Sequence, residues 1–166
     1  AYDSPLAKQA AYWTERNCER WQVALAAERR AGVAICDSDP LKLHYHFALW
    51  QTGQGSREQF DALAASSRAA IARQQLGFAD LFYVSPRGPE EARILRDADP
   101  TRRRRNFDRN AQLYQPLMRW YEALQEVLPG RVTFNLPDTW KPPEVPNNPR
   151  RHDPALLDQL IKRLVC

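Results

Sequence analysis

Apolar residues recur at helical spacing along much of the chain, and this pattern predicts several long helices. Residues 5–30 are rich in alanine and other good helix formers and contain no internal glycine or proline, which favours one uninterrupted helix. In residues 56–75 the apolar positions fall on one helical face: Phe60, Leu63, Ala64 and Ile71. The last amphipathic helix follows residue 153, where five aliphatic side chains form a stripe: Leu156, Leu157, Leu160, Ile161 and Leu164.

Short apolar runs separate these helices and predict buried strands. The runs are residues 33–36 (VAIC), 81–84 (LFYV) and 131–136 (RVTFNL). Strands that alternate with helices are typical of parallel sheets with helical crossovers. We therefore expect an α/β fold, a three-layer parallel sheet flanked by helices, formed by a single domain over residues 1–166. Three strands are few for this amount of helix, so we also expect the domain to be incomplete at its N-terminus and to lack a strand there.

Local signals set the predicted boundaries. Ser56 and Gln59 form a capping box, and Asp-Pro pairs at 39–40, 99–100 and 153–154 predict three helix starts. Pro116 should kink or break the helix predicted after residue 100. Residues 137–152, which hold five prolines between 137 and 149, predict a proline-rich loop.

Composition limits the function classes. The 166-residue chain has a formal charge of +4 and a sequence pI near 9.2, a modest excess that favours anionic partners without naming one. No apolar run is long enough to cross a membrane. The three cysteines are far apart and odd in number, which favours a reducing, cytoplasmic location over a disulfide framework. His44 and His46 diverge on a helix, so they cannot chelate one metal ion together.

Two acids follow the first predicted strand. Asp37 and Asp39 stand where open parallel sheets bind ligands, outside the carboxyl ends of the strands. An acid there can organise a magnesium ion or accept a proton from a substrate hydroxyl. The alternative is that Asp39 only caps a helix and Asp37 is a solvated turn residue. Lys42, close behind, can contact an anionic substrate or lie on the surface.

A cluster of arginines follows residue 100. Four consecutive arginines, 102–105, point in all directions on a helix, and Arg105 and Arg109 share a face. Guanidinium groups suit phosphate oxygens, so the cluster predicts an anion site. A basic surface with affinity for nucleic acid remains open as the alternative.

Four segments resemble P-loop kinases of the thymidylate kinase and deoxynucleoside kinase type. GVAICDSDP is similar to the strand that carries the acidic motif, and FADLFYVSPRGPEEARILRD to a strand-to-helix segment of that family. TRRRRNFDRNAQLYQPLMRWYEAL resembles the arginine-bearing lid and its helix, and RVTFNLP the last strand. The family's phosphate loop, GxxxxGK[ST], does not occur in the chain, and DSDP replaces its usual acid-arginine pair.

The resemblance implies ATP-dependent phosphoryl transfer with magnesium, to a hydroxyl or phosphate group of a small molecule, nucleoside or nucleotide. It implies catalytic roles for Asp37, which would also hold the metal, and for Arg102, Arg104 and Arg105. It implies substrate contacts for three more residues: Asp39, Lys42 and Arg109. Arg87 and Arg93 are further candidates. The alternative function is a non-catalytic module that binds nucleic acid or another polyanion through residues 102–109.

Overall fold

A computed structural model describes residues 4–99, 101, 106–135 and 150–165. Helices account for 64% of these residues. The elements in chain order are α1 Pro5–Ala31, α2 Leu43–Gln51, α3 Arg57–Ala72, β1 Phe82–Tyr83, α4 Pro89–Asp97, α5 Phe107–Ala111, α6 Tyr114–Val127, β2 Val132–Thr133 and α7 Pro154–Val165. No helix in these residues is long and apolar enough to span a bilayer.

The predicted α/β class, a three-layer parallel sheet, is wrong. The described residues contain two short strands, which pair in parallel with Phe82 opposite Val132. Residues 33–36 form no strand, because their backbone groups find no backbone partner in the described structure. A β-strand is defined by backbone hydrogen bonds to a neighbouring strand, and an apolar run without such a neighbour cannot form them. The fold is mostly helical.

The helix boundaries follow local capping chemistry. Ser4 accepts a hydrogen bond from the Ala7 backbone N–H at 3.1 Å, and α1 ends at Gly32 in the left-handed conformation, with φ of 78°. The predicted capping box is confirmed, since Ser56 and Gln59 bond each other's backbone N–H. Such caps satisfy the backbone donors that the first turn leaves free.

Two predicted boundaries need correction. The helix expected from Pro40 begins at Leu43, and Lys42 stands at its N-cap with φ of 57°. Asp39 binds the Leu41 N–H, two residues before the helix, so it caps a turn. The predicted break at Pro116 lies earlier: α6 begins at Tyr114 and Pro116 sits in its first turn, where a missing N–H costs little.

The core lies where α3 packs against α1, α2 and α7, and α6 packs against α2 and α7. Its centre is aromatic: Phe47 is within 6 Å of both Phe60 and Trp120, measured between ring centroids, and all three side chains are fully enclosed. The predicted apolar faces of α3 and α7 are buried in this core, with Ile161 half-buried at its edge. The two-stranded sheet lies against α6, at the border of a large opening.

Candidate functional site

A cleft of about 1260 Å³ opens in the described part of the molecule. The segment 33–40 forms one wall, and β1 with its flanking residues forms another. Helices α1, α5 and α6 supply most of the remaining lining, and α2, α4 and Arg151 also contribute. Apolar side chains such as Leu25, Val33, Phe82 and Leu117 make up much of its surface. A concave, largely apolar space with a few polar groups is the usual form of a small-molecule site.

Asp37 stands exposed at the rim of the cleft. Its Oδ1 accepts a hydrogen bond from Ser38 Oγ at 3.2 Å, and Lys42 Nζ donates to the same Ser38 oxygen. In the described structure the Asp37 carboxylate forms no ion pair. Lys42 does not line the cleft, but it fixes the serine that holds Asp37. The structure therefore links two of the predicted site residues, Asp37 and Lys42, by hydrogen bonds through Ser38.

Asp39 points away from the rim and is buried, with a side chain only 1% exposed. Its Oδ1 accepts from the Leu41 backbone N–H at 2.8 Å. Its Oδ2 lies 3.6 Å from His44 Nδ1, and both of these atoms are enclosed without a hydrogen-bond partner in the described structure. Both residues line the cleft, so a carboxylate–imidazole pair forms part of its floor.

Tyr121 completes this floor. Its ring centroid is 5.7 Å from that of His44, and burial, followed by the nearby Asp39 carboxylate, raises the pKa of the Tyr121 phenol. The phenol therefore stays protonated at all ordinary pH values. His46 lines a different, smaller cavity, where burial, followed by His44, lowers the pKa of its imidazole. The two histidines diverge, as their spacing predicts.

A partly buried ion-pair cluster forms part of the cleft lining. Arg151 donates to both carboxylate oxygens of Glu28, at 2.9 and 2.6 Å, and its Nε donates to Asp80 Oδ1 at 2.9 Å. All three residues line the cleft. The hydrogen bond from Arg151 lowers the pKa of the Glu28 carboxyl. The shared guanidinium bridges the two carboxylates, so the cluster connects α1, the approach to β1 and the approach to α7.

The predicted anion site falls largely outside the described residues, which omit Arg102, Arg104 and Arg105. Arg109 is described and does not line the cleft; its Nε donates to Gln54 Oε1 at 2.7 Å. Arg93 pairs with Asp108 at 3.1 Å. Of the further candidates, Arg87 lines the cleft.

ATP and magnesium, the cofactors that the resemblance implies, stay a prediction. The chain contains no GxxxxGK[ST] segment, whose backbone N–H groups and lysine would hold the β- and γ-phosphates. In the described ranges no three His, Cys, Asp or Glu side chains are grouped so that they could hold a metal ion. Asp37 as a magnesium ligand stays a prediction. No family model, curated protein or solved structure matches the chain.

The sequence interpretation overlooked His44 and Arg151. The sequence interpretation treats His44 only as a possible metal ligand, although its separation of five residues from Asp39 already limits how far apart the two can lie. Arg151 gave no signal, since its partners Glu28 and Asp80 are 123 and 71 positions away. Nothing local distinguishes such an arginine from the others in a chain of 24 Lys and Arg residues.

Proposed function

We propose that the chain forms the acceptor-binding cleft of a kinase-like phosphotransferase, in which Asp37 takes a proton from the acceptor group. The observation that carries the proposal is the exposed Asp37 carboxylate at the rim of a cleft large enough for a nucleoside-sized molecule. The likeness of four segments to P-loop kinases supports the same reaction class.

The arrangement around Asp37 suits a proton acceptor. Phosphoryl transfer depends mostly on positioning the acceptor and stabilising charge, and a carboxylate that forms no ion pair can accept the hydrogen bond of an incoming hydroxyl. Ser38 and Lys42 restrict the motion of this carboxylate by hydrogen bonds. Arg102, Arg104 and Arg105 stay proposed as the residues that contact the transferring phosphoryl group.

A cytoplasmic location is part of the same proposal, since Cys18 and Cys36 are free thiols.

A transfer assay tests the role of Asp37. The protein is incubated with ATP, MgCl₂ and a panel of nucleosides, sugars and nucleoside monophosphates, and phosphorylated product is measured by mass spectrometry. We expect Asp37→Asn to lower the transfer rate by about 100-fold or more, the usual contribution of a positioned base, with unchanged urea unfolding.

Asp61→Asn is the matched control, because Asp61 is an exposed carboxylate on α3 that pairs with Arg57 at 3.2 Å and does not line the cleft. An Asp37→Asn protein as active as Asp61→Asn would remove the proposed role. Absence of transfer to every member of the panel would refute the phosphotransferase proposal as a whole.

The polyanion-binding alternative predicts a different result. A module that binds nucleic acid through Arg102–Arg109 should bind single-stranded DNA with an affinity that falls steeply as salt rises. ATP with magnesium should then leave its melting temperature unchanged. That pair of results, together with no transfer, would replace the kinase proposal.

A further inference from the structure

The floor of the cleft presents one nitrogen of His44 to whatever occupies the cleft. Of the two ring nitrogens, only Nδ1 is enclosed without a partner. The side chain is 13% exposed, and the described structure shows no hydrogen bond to Nε2. This nitrogen therefore reaches open space, and the cleft is the cavity that His44 lines.

Asp39 favours one of the two tautomers of His44. Its Oδ2 faces His44 Nδ1 at 3.6 Å, slightly beyond hydrogen-bond length, and an ionised carboxylate can only accept. The neighbouring carboxylate therefore favours the tautomer with the proton on Nδ1. In a neutral imidazole of this tautomer, Nε2 is a hydrogen-bond acceptor, and it requires a donor from the ligand.

The charges of the cleft favour the same kind of ligand. Its described lining contains four carboxylates and two guanidinium groups: Glu28, Asp37, Asp39, Asp80, Arg87 and Arg151. Both guanidinium groups are already engaged, since Arg87 pairs with Glu91 at 3.3 Å and Arg151 with the two carboxylates described above. A phosphate group at the cleft floor would meet uncompensated negative charge from the described residues.

We propose that the acceptor is an alcohol, neutral or cationic, rather than a phosphate, and that it binds to His44 through Nε2. Asp39 is the residue that positions His44 for this contact. The inference rests on the proposed function and narrows its acceptor class. One hydroxyl of the alcohol donates to His44 Nε2, a second hydroxyl donates to Asp37, and the apolar walls cover the rest of the molecule. The phosphate group of a monoester offers chiefly acceptor oxygens at neutral pH, so this group cannot supply the donor that Nε2 needs.

The tautomer is measured first, without any ligand. Long-range ¹H–¹⁵N spectra of protein labelled at histidine should show the Nδ1–H form of His44 at neutral pH. Asp39→Asn keeps an oxygen for the Leu41 N–H but can offer an N–H to His44 Nδ1, so we expect this variant to lose the Nδ1–H form. A wild-type His44 in the Nε2–H form or doubly protonated would overturn the proposal.

Binding is measured next by calorimetry, in the absence of ATP, with two matched pairs: thymidine and thymidine monophosphate, adenosine and adenosine monophosphate. We expect the nucleoside of at least one pair to bind about tenfold or more tightly than its monophosphate. His44→Phe, which keeps a ring beside Tyr121 but removes both nitrogens, should weaken that binding about tenfold.

His46→Phe is the control, because His46 lines the smaller cavity and should bind nucleoside like the wild type. Tighter binding of the monophosphates, equal binding by His44→Phe and wild type, or binding of neither pair would each overturn the inference. Nucleoside binding through His44 without phosphoryl transfer would leave the inference standing and refute the proposed function, so the two can fail separately.

Discussion

Replacing Arg151 by alanine should lower the free energy of unfolding much more than replacing an exposed arginine does. The Arg151 side chain is 13% exposed, and its partners Asp80 and Glu28 are 15% and 32% exposed. Arg151→Ala leaves two partly buried carboxylates without their shared cation. Each then has to be solvated by rearrangement or to take up a proton, because uncompensated charge is poorly tolerated in a protein interior.

The magnitude follows from this burial. Removing one partner of a buried ion pair typically costs about 3–5 kcal/mol. Glu28 is nearly one-third exposed, so water recovers part of its solvation, and we expect the free energy of unfolding to fall by about 2–4 kcal/mol. Arg163→Ala is the matched control: Arg163 pairs with Glu126, both side chains are more than half exposed, and such surface pairs contribute about 0–1 kcal/mol.

The assay is urea unfolding followed by tryptophan fluorescence, with the midpoint compared at constant slope. Repeating it at lower pH tests the electrostatic cause. Arg151 lowers the pKa of Glu28 below its ordinary value of 4.5, so this stabilisation is fully present above that value and is lost as the pH falls through the lowered, folded-state pKa. The difference between wild type and Arg151→Ala should therefore shrink in acid.

Two results would refute this reasoning. One is an Arg151→Ala protein no less stable than Arg163→Ala at neutral pH. The other is a large stability loss that stays constant from neutral pH down to well below the ordinary pKa of Glu28, which would indicate that the packing of the arginine side chain matters and its charge does not.

Two backbone predictions are independent of this cluster. Gly77→Ala should destabilise the protein by about 1–3 kcal/mol, because a Cβ there would lie 2.8 Å from Trp21 Cζ2 and 2.9 Å from the Arg151 carbonyl oxygen. The control is Gly88→Ala, whose Cβ would meet no atom within 4 Å and which should cost less than about 1 kcal/mol. Equal urea midpoints for the two variants would contradict the predicted clash at Gly77. Gln74→Gly should stabilise the protein by up to about 1 kcal/mol, because Gln74 follows α3 with φ of 59° and glycine adopts this conformation without a steric penalty. A melting temperature lower than that of the wild type would contradict this prediction.

Local signals along the chain are enough to predict α1, α3 and α7 and several helix ends. Ser56 with Gln59, and Asp153 before Pro154, mark helix starts correctly, because a cap is formed by residues three or fewer positions apart. Apolar positions at helical spacing identified the buried faces of α3 and α7 for a similar reason: the period of the helix itself places them on one side. The Asp39-Pro40 start failed, since Asp39 turned its carboxylate to Leu41 and the interior.

The sheet and the chemistry of the cleft depend on contacts between residues that are far apart in the sequence. Residues 33–36 and 82–83 have similar apolar composition, yet Phe82 pairs with a residue of β2, whereas residues 33–36 pair with none of the described residues. Strand formation depends on a neighbour distant in sequence, and composition does not reveal whether that neighbour is there. The two acids of DSDP also differ in position: Asp37 lies at the rim of the cleft, whereas Asp39 lies beside His44. Backbone turns and burial direct each side chain, and the motif alone does not encode them.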